Sequence, residues 1–548
     1  MDIRAGISRR DSLKAGLMAS ATALLPGAAQ TATSARSGAM PETPVRWIDD
    51  AAPPLSLGQT FGVPWPRGVL RAGKPLSVQG ADGTALPSQH WTLATWPDGS
   101  IKWTAHALPA GTGQPGALRV VQGKPAAPQA PVLVRELADR IEILVGTLRW
   151  SIGRSGNAII QSAQQGGRTV VGPLTLVASV DSAPEDGTRT PFTGRIISAT
   201  VEQKGPVRAV VKLTGVHEGQ GRQILPFTLR LYAHAGGDHL RIVHSFIFDG
   251  DPAKDFISGI GLTAAVPMAG AAHDRHVRLA TADDGLFSEA VRPLTGLRRD
   301  PGKAVRAAQI AGKAVPMDAM APGVAKLLDR IPTWGDFDLT QLSADGFAIV
   351  KRTQDGHAWV DSVAGSRSQG LGYIGSPQGG AAIATRYFWQ RHPSQISIRD
   401  AESDMATLTA WLWSPDAKPM DMRSYRGVLG MEGYDAQNEG LDITYEDYEP
   451  GWDAATGVAR TSELTLWACA ATPSADTLAA MAQANAVPPQ LMVTPDRIHA
   501  AGVFGKMHPV ERVRMDQWDR EVNIDLRGTF LAGLAQGKLQ GLTPPDSM

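Results

Sequence analysis

The sequence predicts a mainly β protein: a small N-terminal barrel-like β-domain, then a large antiparallel β-sandwich, with a short helical C-terminus. Three observations carry this. Gly and Pro number 59 and 39 in 548 residues, about 18% against a usual level of about 12%, which favours short strands closed by turns. Apolar and polar residues alternate along many short stretches, the period-two pattern of half-buried strands. Helical periodicity is concentrated after Ser474.

The elements follow in chain order. Residues 1–32 read as a twin-arginine (Tat) export signal. Ser8-Arg9-Arg10-Asp11-Ser12-Leu13-Lys14 precedes a weakly apolar stretch over 15–25, then Pro26 and small-residue exits near Ala29 or Ala32. Ser12 stands where an aromatic residue is usual, and the apolar stretch is shorter than the ~20 residues of a membrane span. The protein is therefore expected in the periplasm or secreted. Residues 33–44 are small, polar and Pro-bearing and read as a disordered lead-in.

Residues 45–125 form the predicted barrel-like domain. Pro fixes φ and Gly supplies positive φ at Gly62-Val63-Pro64-Trp65-Pro66-Arg67-Gly68, Asp82-Gly83 and Pro97-Asp98-Gly99, so these punctuate its strands. After the last turn, Ile101, Trp103 and Ala105 point one way and Lys102, Thr104 and His106 the other. The Pro/Ala stretch from Gly123 reads as a linker. Residues 130–505 form the predicted sandwich, with strands near 140–150, 194–203, 207–217, 223–233 and 239–249, then 381–389, 395–398, 406–413 and 463–470. In 239–249 both faces are apolar, as in a central strand. A short helix is expected near 324–330. Ser474 is an expected N-cap for an Ala-rich helix over 477–484, and 510–534 is the best amphipathic helix pattern. Residues 506–548 read as a helical tail.

Composition excludes several functions. Lys+Arg and Asp+Glu are both 53, without the basic excess of a phosphate-backbone binder, so no nucleic-acid partner is expected. No segment beyond the leader is long and apolar enough to span a membrane. The lone Cys469 rules out an intramolecular disulfide and Cys-based zinc sites, and reads as an inert core thiol. There is no Walker A loop, dinucleotide fingerprint, HExxH helix or Gly-x-Ser-x-Gly elbow. His273-Asp-Arg-His276 resembles a metal pair, but on an extended segment residues three apart face opposite sides. No metal site is assigned.

One cluster carries functional chemistry. KRTQDGHAW gathers Lys351, Arg352, His357 and Trp359 around an Asp-Gly turn; Arg386, Arg423 and Tyr425 follow. LDITYEDYEPGWD from Leu441 adds Tyr445, Glu446, Tyr448 and Trp452, and Arg460 comes next. Arg fixes a carboxylate bidentately and indole faces cover the apolar side of a pyranose, so the set suits an acidic polysaccharide or oligosaccharide. Its matching reaction is β-elimination from a uronic acid. A cation neutralises the carboxylate, a base removes the C5 proton and an acid protonates the leaving O4. Tyr425, Arg423, Lys351, His357 and Tyr445 are the candidate catalytic residues. Arg352, Trp359, Arg386, Glu446, Tyr448, Trp452 and Arg460 are the candidate substrate contacts. Hydrolysis through a carboxylate pair including Glu446 and Glu449 is a standing alternative; so is a non-catalytic carbohydrate-binding role. No cofactor is called for; calcium is compatible with such chemistry but no ligand set supports it. No charge patch identifies a protein partner.

Several long motifs resemble the exo-rhamnogalacturonan lyase family. FGVPWPRGVL from Phe61 and WPDGSIKWTAHAL from Trp96 are similar to its N-terminal RIFT-barrel-like domain. HDRHVRLATADDGLFSEAVRPLTGLRRDPG from His273, KRTQDGHAW, YFWQRHPSQISIR from Tyr387, WLWSPDAKPMDMRSY from Trp411 and LDITYEDYEPGWDAATGVARTSELTLWA are similar to its central β-sandwich. The resemblance covers 45–505. It implies release of unsaturated galacturonosyl-rhamnose from chain ends of rhamnogalacturonan I, a step in pectin degradation. It also implies a C-terminal α/α toroid. That domain needs several hundred residues, and the tail 506–548 is expected to hold only its start.

Overall fold

The computed structural model of the protein describes residues 42–111, 117–423 and 455–503, together with 436 and 439. The expected leader over 1–32, most of the lead-in and the tail over 506–548 lie outside the described residues, as does the helix expected over 510–534.

Among the described residues, the N-terminal domain is built from β1 (Thr43–Trp47), β2 (Gln59–Pro64), β3 (Leu76–Gln79), β4 (Ala85–Leu86), β5 (Gln89–Thr95), β6 (Ile101–Leu108) and β7 (Leu118–Gln122). Thr43 and Pro44, at the end of the expected lead-in, belong to β1 because they pair with β7. The Asp-Gly turn forms as read: Gly99 has φ 77° and Trp96 N–H donates to Ser100 O at 2.7 Å. It delivers β6 into the domain. Both faces of β6 are covered, since Trp65 Nε1–H donates to the Thr104 hydroxyl at 2.8 Å and His106 is buried.

The sandwich comprises β8 (Val132–Glu136), β9 (Arg140–Val145), β10 (Leu148–Gly153), β11 (Ala158–Gln165), β12 (Arg168–Val171), β13 (Leu174–Asp181), β14 (Arg189–Lys204), β15 (Arg208–Gly219), β16 (Arg222–His234), β17 (His239–Ile247), β18 (Phe256–Pro267), β19 (His276–Ala280) and β20 (Leu286–Ala290). It continues with β21 (Asp336–Ser343), β22 (Gly346–Arg352), β23 (Val360–Gly365), β24 (Leu371–Ser376), β25 (Gly379–Thr385), β26 (Ser394–Arg399), β27 (Met405–Trp413) and β28 (Ala459–Cys469). One run of antiparallel pairs is β14-β15-β16-β17-β28-β25-β24-β19-β20. The other is β13-β18-β27-β26-β21-β22-β23. The pairing of β13 with β14 joins them at a corner. Inward positions such as Trp150, Leu213, Leu231, Ile242, Leu262, Leu339, Leu408 and Leu466 form one continuous core. The mainly β class, the barrel-like domain and the large antiparallel sheet system agree with the sequence reading.

Helices are short: α1 (Lys303–Ile310) and α2 (Pro322–Ala325) lie in the connection from β20 to β21, and α3 (Ala475–Ala486) follows β28. Ser474 caps α3 by accepting from Thr477 N–H at 3.2 Å, and α3 covers a second apolar cluster containing Tyr373, Trp467 and Cys469. Burial pushes the Cys469 thiol pKa up, as an inert core thiol requires. The helix expected near 324–330 divides into α2 and a 3₁₀ turn at Leu328–Arg330. The chain then returns to the first domain. β29 (Leu491–Val493) pairs with β1, and α4 (Pro495–Ala500) sends Arg497 to Pro64 O at 3.0 Å. None of the described helices is long and apolar enough to cross a membrane.

Trp150 is fully buried in the main core. Trp150→Ala should lower the unfolding free energy by about 3–5 kcal/mol, measurable by urea titration.

Candidate functional site

Strand alternation builds a polar row on the outer face of one sheet. Core residues Leu231, Ala233, Leu240, Ile242, Leu464 and Leu466 fix the inward positions, so intervening residues face outward. Register then aligns them. Arg208 sits opposite His234, Tyr232 opposite Arg241, and Arg241 opposite Thr465. Glu463 lies one outward step along β28.

Two further segments turn this row into a pocket of about 360 Å³. Leu57–Gly58–Gln59–Thr60 comes from the N-terminal domain; Ala484, Asn485 and 488–491 come from the end of α3 and its exit. The docking is specific. His239 Nε2 donates to Leu57 O at 2.9 Å, and the Gln89 side-chain oxygen accepts from Val207 and Arg208 N–H at 3.0 and 2.9 Å. Gly58 has φ +88° and a Cβ there would fall on the His234 ring, so only Gly lets the backbone approach so closely.

The pocket is cationic. Arg241 holds Glu463 with a fork at 2.7 and 2.9 Å, and Arg386 adds a contact at 3.2 Å. Burial raises the Glu463 pKa, but the hydrogen bond and charge of Arg241, with Arg386, outweigh it and hold the carboxyl below its ordinary range. Arg208 has no carboxylate partner among the described residues; it donates to Gln203 and Thr60 at 2.9 Å each. Its guanidinium lies over Trp91 at 4.3 Å and Tyr232 at 5.5 Å. Burial, reinforced by the Arg241 charge, draws its pKa down to about 10, so it stays protonated at neutral pH.

Three guanidinium groups thus face one carboxylate. Several polar atoms are idle: the donors Arg386 Nε and Asn485 Nδ2, and both ring nitrogens of His234, one a donor and one an acceptor in the neutral ring, have no partner among the described residues. His234 and Asn485 are only 5% and 3% exposed, and burial keeps His234 neutral by lowering its pKa well below the usual value. Buried polar groups are normally satisfied, so these idle atoms leave unmet hydrogen-bonding capacity in the pocket. No group of three or more His, Cys, Asp or Glu among the described residues could hold a metal.

Of the residues singled out in the sequence, Arg386 lines this pocket. Four others lie elsewhere, at the end of β22 and in the segment that follows it. Lys351 pairs with Glu289 at 2.6 Å. Arg352 pairs with Asp336 and Asp355 at 2.7 and 2.6 Å and lies over Trp359 at 4.5 Å. Trp359 is 40% exposed, and His357 is exposed with Nδ1 2.6 Å from the Thr353 hydroxyl. Arg460 is held by Leu412 O at 3.2 Å and lies over Trp413. Arg423 forks onto Asp421 and lies over Phe256. Tyr425, Tyr445, Glu446, Tyr448 and Trp452 lie outside the described residues. The sequence reading missed Arg208, Tyr232, His234, Arg241, Glu463 and Asn485. Arg208, Tyr232, Arg241 and Glu463 alternate with core residues in recognised strands and His234 directly follows one, a faint signal because single exposed arginines on strands are ordinary.

The described residues thus form a two-domain β architecture with a cationic pocket at the domain junction. The chain belongs to the PcRGLX-like family: the central beta sandwich domain of that family matches residues 132–483 and its N-terminal RIFT barrel domain residues 41–123. Membership points to a carbohydrate-active protein. The uncharacterized protein YetA of Bacillus subtilis (strain 168) is 29% identical over 489 residues, an alignment covering 87% of this chain and 56% of that protein. The chain thus spans about half the length of this curated relative. A protein in the Glycosyl Hydrolase Family 38 from Enterococcus faecalis superimposes with a TM-score of 0.42 at 10% identity over 83% of this chain and 47% of that one. A putative aldose 1-epimerase from Escherichia coli K12 gives a TM-score of 0.26 at 13% identity over 62% and 98%. At these scores the likeness is loose and nothing further follows from it.

The clamp predicts a pH signature. Because the folded Glu463 pKa is depressed, its stabilisation is present above the unfolded value of about 4.3 and is lost as pH falls through the folded value. Glu463→Gln should cost about 1–2 kcal/mol at neutral pH, a discounted figure because Arg241 is 41% exposed. Urea titrations from neutral to acid pH should show the gap between variant and natural protein closing below about pH 4.

Proposed function

We propose that the chain is an exported polysaccharide lyase acting by β-elimination on acidic, rhamnose-containing glycan of the rhamnogalacturonan I type. The observation that supports this most strongly is the excess of guanidinium over carboxylate in the pocket at the domain junction. A uronate carboxylate entering there meets Arg208 unpaired and Arg241 and Arg386 sharing Glu463. Neutralising it stabilises the enolate-like charge that develops when the C5 proton leaves. We assign the proton acceptor to Tyr232, whose ring has Arg208 and Arg241 at 5.5 and 5.0 Å and which lines the pocket beside them. Tyr425 and Tyr445 are the alternatives from the sequence. The C5–H electrons form the C4–C5 double bond as the C4–O4 bond breaks, and the Tyr232 phenol that has taken the C5 proton passes it to the departing O4, which restores the base. The pocket's described lining offers Glu463 alone among carboxylates, and two arginines hold it. Hydrolysis requires two carboxyl groups facing each other across the bond, so elimination suits this pocket better. The twin-arginine leader at Ser8–Lys14 supports export.

Incubation with rhamnogalacturonan I should raise the absorbance of a C4–C5 unsaturated uronate. Arg208→Met should reduce the rate at least about tenfold, the scale of one lost charge-assisted contact, while the melting temperature moves little. New reducing ends without that absorbance would replace the reading with hydrolysis. Binding with neither would leave a carbohydrate-binding role.

A further inference from the structure

A second cavity, one that holds a buried arginine, lies at the other end of the same outer sheet face, independent of the proposed elimination site. It measures about 130 Å³ and is lined by His276 and Arg278 of β19, Ser288–Ala290 of β20, Thr295, and Gln309–Ile310 of α1. Its walls are pinned. Gln309, buried, accepts from Leu294 N–H at 2.7 Å and donates to His273 O and Arg292 O at 2.8 and 3.1 Å. Asp274 accepts from Val315 N–H at 2.8 Å. The cavity therefore exists without a guest.

Arg278 is 5% exposed yet has no carboxylate within ion-pair distance among the described residues. The nearest acid, Glu289, is bound to Lys351 at 2.6 Å. The guanidinium instead contacts the carbonyls of Val277 and Glu289 at 3.1 and 3.3 Å and His276 Nδ1 at 3.4 Å. A guanidinium only donates, so His276 Nδ1 accepts, and in the neutral ring the proton sits on Nε2. That Nε2–H is fully buried and has no partner. A buried, unpaired cation beside an idle N–H donor is costly unless an acceptor with negative charge completes it.

We propose that this cavity is a binding site for one small oxyanion, held by the Arg278 guanidinium and the His276 Nε2–H, with the Thr295 and Ser288 hydroxyls at its edge. The shared chemistry is that of a sulfate, a phosphate or a carboxylate group. The guest ties β19 and β20 to the α1 connection.

Crystals of the full chain grown without sulfate or phosphate and soaked in sodium selenate should show one anomalous peak within hydrogen-bond distance of Arg278 and His276 Nε2. In parallel, calorimetric titrations with sodium sulfate, sodium phosphate and sodium acetate, at ionic strength matched with chloride, identify which group binds tightest. Arg278→Met should weaken that binding at least about tenfold. Should this variant not fold, Ser288→Glu, changed at an exposed position opposite Arg278, should do the same by placing a carboxylate at the mouth. An empty cavity in the soaked crystal overturns the proposal. So does a peak with no saturable binding in solution, or with binding indifferent to both variants, which marks an adventitious ion only.

Discussion

The molecule depends on where β28 inserts. This strand lies between β17, more than two hundred residues earlier, and β25, some eighty residues earlier, and pairs along nearly its whole length with β17. Its inward residues Leu464 and Leu466 lock into the core. The pleat then leaves no choice for Glu463 and Thr465, which face outward beside Arg241. Glu463 draws Arg241 from β17 and Arg386 from the end of β25 onto one carboxylate. A one-residue slip of β28 would turn Glu463 into the core and release both arginines.

That clamp makes a pocket only because the N-terminal domain closes over it. Gly58 lies against His234, Thr60 takes a hydrogen bond from Arg208, and β29 returns the chain to β1 after α3. The walls of the pocket therefore come from the N-terminal domain, from strands far apart in sequence and from the exit of α3. One carboxylate holds two of the guanidinium groups, Arg241 and Arg386, Arg208 is held by Gln203 and Thr60, and the single negative charge is too little to neutralise all three. The residual positive charge, set in a partly dehydrated recess, attracts an anion more strongly than the same arginines would on an open surface.

Much of the fold was legible. The Asp98-Gly99 turn, the strand at 239–249, the Ser474 cap and the buried Cys469 each follow from local chemistry, and the structure shows each of them. Long motifs carried the family. Other features were not legible because they are properties of register. Arg208, Tyr232, Arg241 and Glu463 each look like an ordinary outward residue, and nothing local shows that four strands bring them together. The return of 491–493 to the first domain is similarly a long-range pairing. Sequence reasoning favoured dense local clusters such as KRTQDGHAW. There the structure shows that Lys351 and Arg352 are already matched by Glu289, Asp336 and Asp355, whereas Arg386, isolated in sequence, lines the cationic pocket.

The most direct examination of this account is a pair of calorimetric titrations with galacturonate-ended rhamnogalacturonan oligosaccharides, one with the terminal carboxylate free and the other with it methyl-esterified. If the recess recognises negative charge, the free acid binds and the ester loses most of that affinity. Equal affinity for the two would show that the three arginines serve only to hold the strands together.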